Sequence, residues 1–163
     1  MRKLLFLSGL VILTAYSVAA PAAQVSIPDG WRKIDAEGHF TFYLPESMKL
    51  SSEVRCEECA WGSTYSDDRI RLYAEYTSWN EEYAPQYLAK QKEYVKELTE
   101  VDGRKAKIQS WRAEDSPGGF PYIAEVRFYE ADGKLVARMS ALCKEGRDVG
   151  TAKQVFKTVD FSK

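Results

Sequence analysis

The chain has 163 residues, of which 45% are hydrophobic, 13% aromatic and 29% charged, and its formal net charge is −1. This composition excludes a collagen, a coiled coil and a wholly disordered chain. The near-neutral balance provides no basic pattern for nucleic acid, so no nucleic-acid partner is expected. At this length a single domain is the default, and it can bury a core without a structural metal or several disulfides.

The N-terminus has the three-part pattern of a secretory signal peptide. A basic start, Met1-Arg2-Lys3, precedes an apolar stretch from Leu4 to Ala15 and a run of small residues that ends near Ala22. The apolar stretch is shorter than the roughly 20 residues that span a bilayer. We therefore expect residues 1–22 to be a signal peptide, residues 23–163 to be one domain, and membrane contact to be limited to the transient leader.

The leader predicts export, and its removal changes the net charge of the mature chain. The leader contains two of the 23 basic residues and none of the 24 acidic ones, so 21 basic residues remain and the net charge becomes −3. The mature domain is then expected in a secreted or periplasmic, oxidising space.

Alternation of apolar and polar side chains predicts six strands. Asp67-Asp68 reads as a two-residue turn that sets Tyr65 opposite Ile70 and Trp61 opposite Ala74. Ala131-Asp132-Gly133 reads as a hairpin connection. The strands are expected at about 39–44, 58–66, 69–77, 104–113, 122–130 and 134–144.

Two further segments have helical spacing. Residues 82–98 repeat apolar side chains every three to four positions, with Glu81 and Glu82 suited to the positive end of a helix. A C-terminal helix is expected behind Asp148 as its cap. The order predicts an α+β fold: a mostly antiparallel sheet of about six strands with two main helices, as an α/β/α or a two-layer sandwich.

Several short segments together resemble the PsbP-like/Mog-like group of α/β/α domains. They are Trp31, Gly38-His39-Phe40-Thr41-Phe42-Tyr43-Leu44-Pro45, Asp102-Gly103-Arg104-Lys105-Ala106, Pro121-Tyr122-Ile123 and residues 152–161. Members of that group serve as extrinsic photosystem subunits, as a nuclear GTPase-binding protein and as bacterial envelope proteins. The resemblance implies a binding or accessory domain with helices on both sides of the sheet, and no catalytic residue carries over from it.

Three cysteines leave two disulfide pairings open. Cys56 and Cys59 can join if the segment turns, because an extended strand holds their Cα atoms about 10 Å apart and a disulfide spans no more than about 7 Å. A bridge from Cys59 to Cys143 is the alternative, since both side chains are expected on the core side. We favour the local pair, which leaves Cys143 as a buried free thiol.

Other chemistry that these residues could support is disfavoured. Thiol-disulfide exchange by Cys56 and Cys59 is the alternative function, but the adjacent Glu57 and Glu58 oppose thiolate formation. Zinc held by the cysteines and His39 is disfavoured because thiols oxidise in this compartment. We expect no catalytic set, no metal and no cofactor.

One face of the predicted sheet is the candidate binding surface. Alternation assigns the core side to Ile70, Leu72, Ala106, Ile108, Tyr122, Ala124, Val126, Phe128, Leu135 and Met139. The other side then holds Arg71, Tyr73, Glu75, Lys105, Lys107, Trp111, Glu125, Arg127, Tyr129 and Arg138.

Cations and aromatic rings on this second side suit an anionic or glycan ligand or an envelope protein. The candidate binding residues are Arg71, Tyr73, Trp111, Arg127, Tyr129 and Arg138, with Phe120 in the loop 116–121. In the alternative, a helix covers this side and its side chains only pack. The chain is therefore interpreted as a secreted or periplasmic, non-enzymatic binding or accessory protein.

Overall fold

The computed structural model describes residues 25–53, 59–77, 85–114 and 116–162. These residues contain nine strands and two α-helices, one of which is a single four-residue turn. Strands β1 and β2 pair with each other, while the other seven form an antiparallel sheet in the order β3-β4-β5-β9-β8-β7-β6. The elements are β1 (Trp31–Asp35), β2 (Thr41–Pro45), β3 (Lys49–Glu53), β4 (Cys59–Ser66), β5 (Ile70–Thr77), α1 (Pro85–Leu88), β6 (Lys92–Val101), β7 (Arg104–Arg112), β8 (Tyr122–Tyr129), β9 (Leu135–Cys143) and α2 (Gly146–Lys157).

The predicted fold class is wrong. All six predicted strands are present, but β1, β3 and β6 add to them, and the described residues hold one main helix where two were expected. The described residues are therefore mostly β.

The largest error concerns residues 82–98, which were predicted as a helix. Residues 82–84 lie outside the described part, residues 85–88 form α1, and residues 92–101 form β6. Asp102-Gly103 explains the strand: both residues have positive φ, 47° and 72°, and make the tight turn between β6 and β7. Charged residues suit an exposed helix face and an edge strand equally, so their spacing alone did not separate the two structures.

The β4–β5 turn is displaced by one residue from its predicted place. The Asp67 carboxylate accepts hydrogen bonds from the backbone N–H groups of Arg69, at 2.9 Å, and Ile70, at 2.8 Å. The turn is thus centred on residues 68 and 69, and Tyr65 lies opposite Leu72 instead of Ile70. Because the register changes by two, Tyr65 and Trp61 keep their predicted face, while a bulge between Cys59 and Trp61 interrupts the register at the start of β4.

Helix α2 and the β1–β2 pair pack on the same face of the large sheet and enclose the core. Phe42 from β2 and Phe156 from α2 are fully buried against Leu72 and Met139 of the sheet. The predicted core side is confirmed except at Leu135, which a bulge sets opposite Tyr129.

Helix α2 is capped three residues before its predicted cap, Asp148. Its N-cap is Glu145, and Asp148 lies three residues later, where the two form a reciprocal capping box. Asp148 also pairs with Arg69 of the β4–β5 connection. The helix start is therefore tied to the sheet.

The cysteine predictions have different outcomes. Cys143 is buried and free, as predicted. Cys59 lies opposite Thr77 and Cys143 opposite Ile70, at the two ends of β5 and so about 23 Å apart along the strand. A Cys59–Cys143 disulfide is therefore wrong. Cys56 lies outside the described residues, so the Cys56–Cys59 pair and its redox use stay predictions.

The Cys143 thiol is expected to resist modification in the folded protein. Burial, with a smaller contribution from Asp148, raises the pKa of Cys143 to about 12 from an ordinary value of 9.0. Native protein at pH 8 should react with an alkylating reagent at Cys143 at least about a hundredfold more slowly than urea-unfolded protein, as peptide mass spectrometry would show. Equal alkylation rates in native and unfolded protein would show that the Cys143 thiol is not protected by burial.

The same pKa predicts an alkaline effect on stability. Between pH 9 and 12 the unfolded thiol loses its proton while the folded thiol keeps it. The folded state then binds more protons, so stability falls as pH rises through this window.

Candidate functional site

The sheet face opposite α2 carries a cavity, here called the sheet-face cavity. Its volume is about 570 Å³, and it lies between the sheet and the chain around α1. The floor comes from β4, β5, β7, β8 and β9, and the roof from residues 87–91. Its apolar contacts include Trp111, Ile123, Leu142 and Leu88, with the exposed Tyr87 at its margin.

Arg71 is the distinctive charge of this cavity. Its guanidinium carbon lies 4.7 Å from the centre of the Phe120 ring, a cation–π contact. Phe120 is buried, and its carbonyl accepts a hydrogen bond from the Ser116 hydroxyl at 2.5 Å. Arg71 itself is exposed and forms no ion pair with a carboxylate of the described residues. Phe120, in the loop 116–121, therefore positions the Arg71 guanidinium at the cavity and leaves its positive charge unpaired within the described part of the chain.

The second arginine of the cavity is neutralised. Arg138 Nε lies 2.9 Å from a carboxylate oxygen of Glu75, and the Tyr73 hydroxyl donates to the other oxygen at 2.5 Å. Burial and the hydrogen bond to Glu75 raise the pKa of Tyr73 above its ordinary value. Tyr73 is therefore a neutral donor near neutral pH, already engaged with Glu75.

A buried ion pair supports the neighbouring part of the sheet. The Arg127 side chain is only 2% exposed, and its Nε lies 2.6 Å from a carboxylate oxygen of Glu125. Glu125 reaches the cavity wall, whereas Arg127 is enclosed. Arg127 therefore acts as a structural counter-ion.

The seven predicted binding residues fall into separate groups. Four of them line the sheet-face cavity: Arg71, Tyr73, Trp111 and Arg138. Phe120 and Arg127 are buried beside it. Tyr129 lies in a second groove near β6, where Lys107 Nζ is 6.0 Å from its ring centre. Their roles in binding stay predictions.

Sequence reasoning missed the roof of the cavity. Tyr87, Leu88 and Gln91 line it, but the predicted helix over residues 82–98 concealed their role. Ile123, Ser140 and Leu142 were also missed, although they share the alternation of the outward strand positions. That alternation could have identified these three residues as part of the outward face.

The zinc hypothesis stays untested, because Cys56 lies outside the described residues. The His39 ring stacks on Tyr76, with 4.2 Å between ring centres. Within residues 25–53, 59–77, 85–114 and 116–162, no three or more metal-binding side chains form a cluster. In the same part of the chain, neither helix has the length and apolar character needed to cross a membrane.

This arrangement of a large antiparallel sheet with a C-terminal helix on one face is a PsbP-like fold. The structure is similar to the solution structure of cyanobacterial PsbP (CyanoP) from Synechocystis sp. PCC 6803, with a TM-score of 0.54 and 10% sequence identity. The match covers 89% of this chain and 99% of that chain. The PsbP-like part of the resemblance is thus confirmed at the level of fold, while its Mog-like part gains no support. Searches against family models and curated proteins found no match.

Proposed function

We propose that this protein is a non-enzymatic binding or accessory protein and that the sheet-face cavity is its ligand site. The observation that carries the proposal is the pairing of an apolar cavity of about 570 Å³ with the Arg71 guanidinium, which has no carboxylate partner among the described residues. Cavities of this size lined by apolar side chains and a few polar groups are typical of small-molecule sites.

The ligand that fits this chemistry has an apolar or aromatic body and one anionic group. Trp111, Ile123 and Leu142 supply apolar contact area, and Arg71 supplies a charged donor. The other charged groups of the wall each have an oppositely charged neighbour, Glu75 for Arg138 and Arg127 for Glu125. A cavity with paired titratable groups supports binding more than acid–base catalysis.

Two further observations support the accessory role and its location. The PsbP-like fold agrees with the binding or accessory role that the sequence resemblance implies. The basic, apolar and small-residue pattern of residues 1–22 supports export to a secreted or periplasmic space.

The proposal predicts specific binding of an aromatic sulfonate. We expect 1-anilinonaphthalene-8-sulfonate to bind the mature protein at one saturable site, measured by its fluorescence and by calorimetry. Ser140→Phe should fill the cavity, and Arg71→Met should remove the charge while retaining an apolar stem. Each is expected to weaken binding at least about tenfold, the effect of losing one charge-assisted contact or the cavity volume.

Arg147→Met is the matched control. It removes one exposed arginine from α2, which packs on the opposite face of the sheet, and should leave the affinity unchanged. Unaltered circular dichroism would establish that each variant is folded. Wild-type affinity in both cavity variants would refute the proposed site.

A further inference from the structure

Strand β6 forms one end of the seven-stranded sheet and has a free edge. Among the described residues, only β7 pairs with it. Its ten residues make it the longest of the described strands. Leu98 is 73% exposed and Val95 is 51% exposed on this strand. A long edge with exposed apolar side chains is a template for adding another strand.

The β6–β7 turn determines which backbone groups point away from the sheet. Val101 and Arg104 flank the two-residue turn and pair directly, so they exchange both hydrogen bonds. Pairing alternates along an antiparallel ladder, which directs the N–H and C=O groups of Lys96, Leu98 and Glu100 toward the free edge. These three residues can therefore bond to a new strand.

The sequence of this edge complements itself in one antiparallel register. With Leu98 on a two-fold axis, Leu98 meets its own copy and Lys96 lies opposite Glu100 on both sides of the axis. Lys96, Leu98 and Glu100 are the same three residues whose N–H and C=O groups point toward the free edge. On the other face, Val95 lies opposite Val101. Opposite charges and apolar pairs at directly opposed positions stabilise a sheet.

We propose that β6 pairs with β6 of a second copy of this chain in this two-fold register. The exposed Lys96 and Glu100 have no ion-pair partner among the described residues, so both are available to the second copy. Pairing continues the sheet across the dimer and covers Leu98. Registers that centre Lys96 or Glu100 are disfavoured, because the first brings two lysines together and the second two glutamates.

A charge exchange tests this register. Sedimentation velocity on the mature protein across a concentration series should show a monomer–dimer equilibrium. Lys96→Glu places carboxylates opposite Glu100 twice and should raise the dimer dissociation constant at least about tenfold. Combining it with Glu100→Lys restores opposite charges and should return dimerisation toward the wild-type value. Lys134→Glu, in the exposed β8–β9 turn, is the matched control and should have no effect.

Cysteine cross-linking tests the axis separately. Leu98→Cys places two thiols on residues whose Cα atoms are about 5.5 Å apart in a hydrogen-bonded pair, within reach of a disulfide. Lys96→Cys places them about 13 Å apart along the strands, beyond that reach. Oxidation should therefore give a covalent dimer above the wild-type background for the first variant alone. A chain that stays monomeric at every concentration, a double variant as monomeric as Lys96→Glu, or equal cross-linking of both cysteine variants would overturn the proposal.

Discussion

Arg127→Ala is expected to lower the free energy of unfolding by about 3–5 kcal/mol, the usual cost of removing one partner from a buried ion pair. The Arg127 side chain is 2% exposed and pairs with Glu125 at 2.6 Å. Without the guanidinium, the Glu125 carboxylate is left buried without this counter-ion. Urea denaturation followed by tryptophan fluorescence at pH 7 would measure the loss.

The cause can be separated from loss of packing volume. Replacing both members of the Arg127–Glu125 pair, with Arg127→Met and Glu125→Leu, leaves no Glu125 carboxylate without its counter-ion and should cost less than Arg127→Ala. A single substitution that costs under about 1 kcal/mol would show that the pair is dispensable.

Phe42→Ala is expected to destabilise the fold by about 3–5 kcal/mol, as for other buried phenylalanines. The Phe42 ring is fully buried, and its centre lies 6.0 Å from that of Tyr65 and 6.5 Å from that of Trp61. These contacts attach the β1–β2 pair to the large sheet. Truncation leaves a cavity at the junction of the two sheets, which thermal or urea unfolding would detect.

The matched control lies on the neighbouring strand. Lys33 in β1 pairs with Tyr43 and is exposed, so Lys33→Ala should change stability by less than about 0.5 kcal/mol. Equal losses in the two variants would mean that disruption of the small sheet, and not burial of the Phe42 ring, controls stability.

Alternation in the sequence was sufficient to locate six strands and to assign their faces. Leu72, Ala124 and Met139 were placed on the core side, and Arg71 and Trp111 on the opposite side, all in agreement with the structure. This works because successive side chains on a strand point to opposite faces whatever the partner strand. Even the displaced turn at Asp67 preserved the faces.

The tertiary structure decided the features that depend on neighbours. Residues 92–101 have charges and apolar groups compatible with a helix or a strand, and pairing with β7 selects the strand. The roof of the sheet-face cavity followed from that choice, because Leu88 and Gln91 face it only when the chain turns before β6. Side-chain alternation is a local property and could be recognised in the sequence. The neighbours of each strand and the volume of the sheet-face cavity depend on contacts between residues that are distant in the sequence. Those contacts exist only in the folded chain.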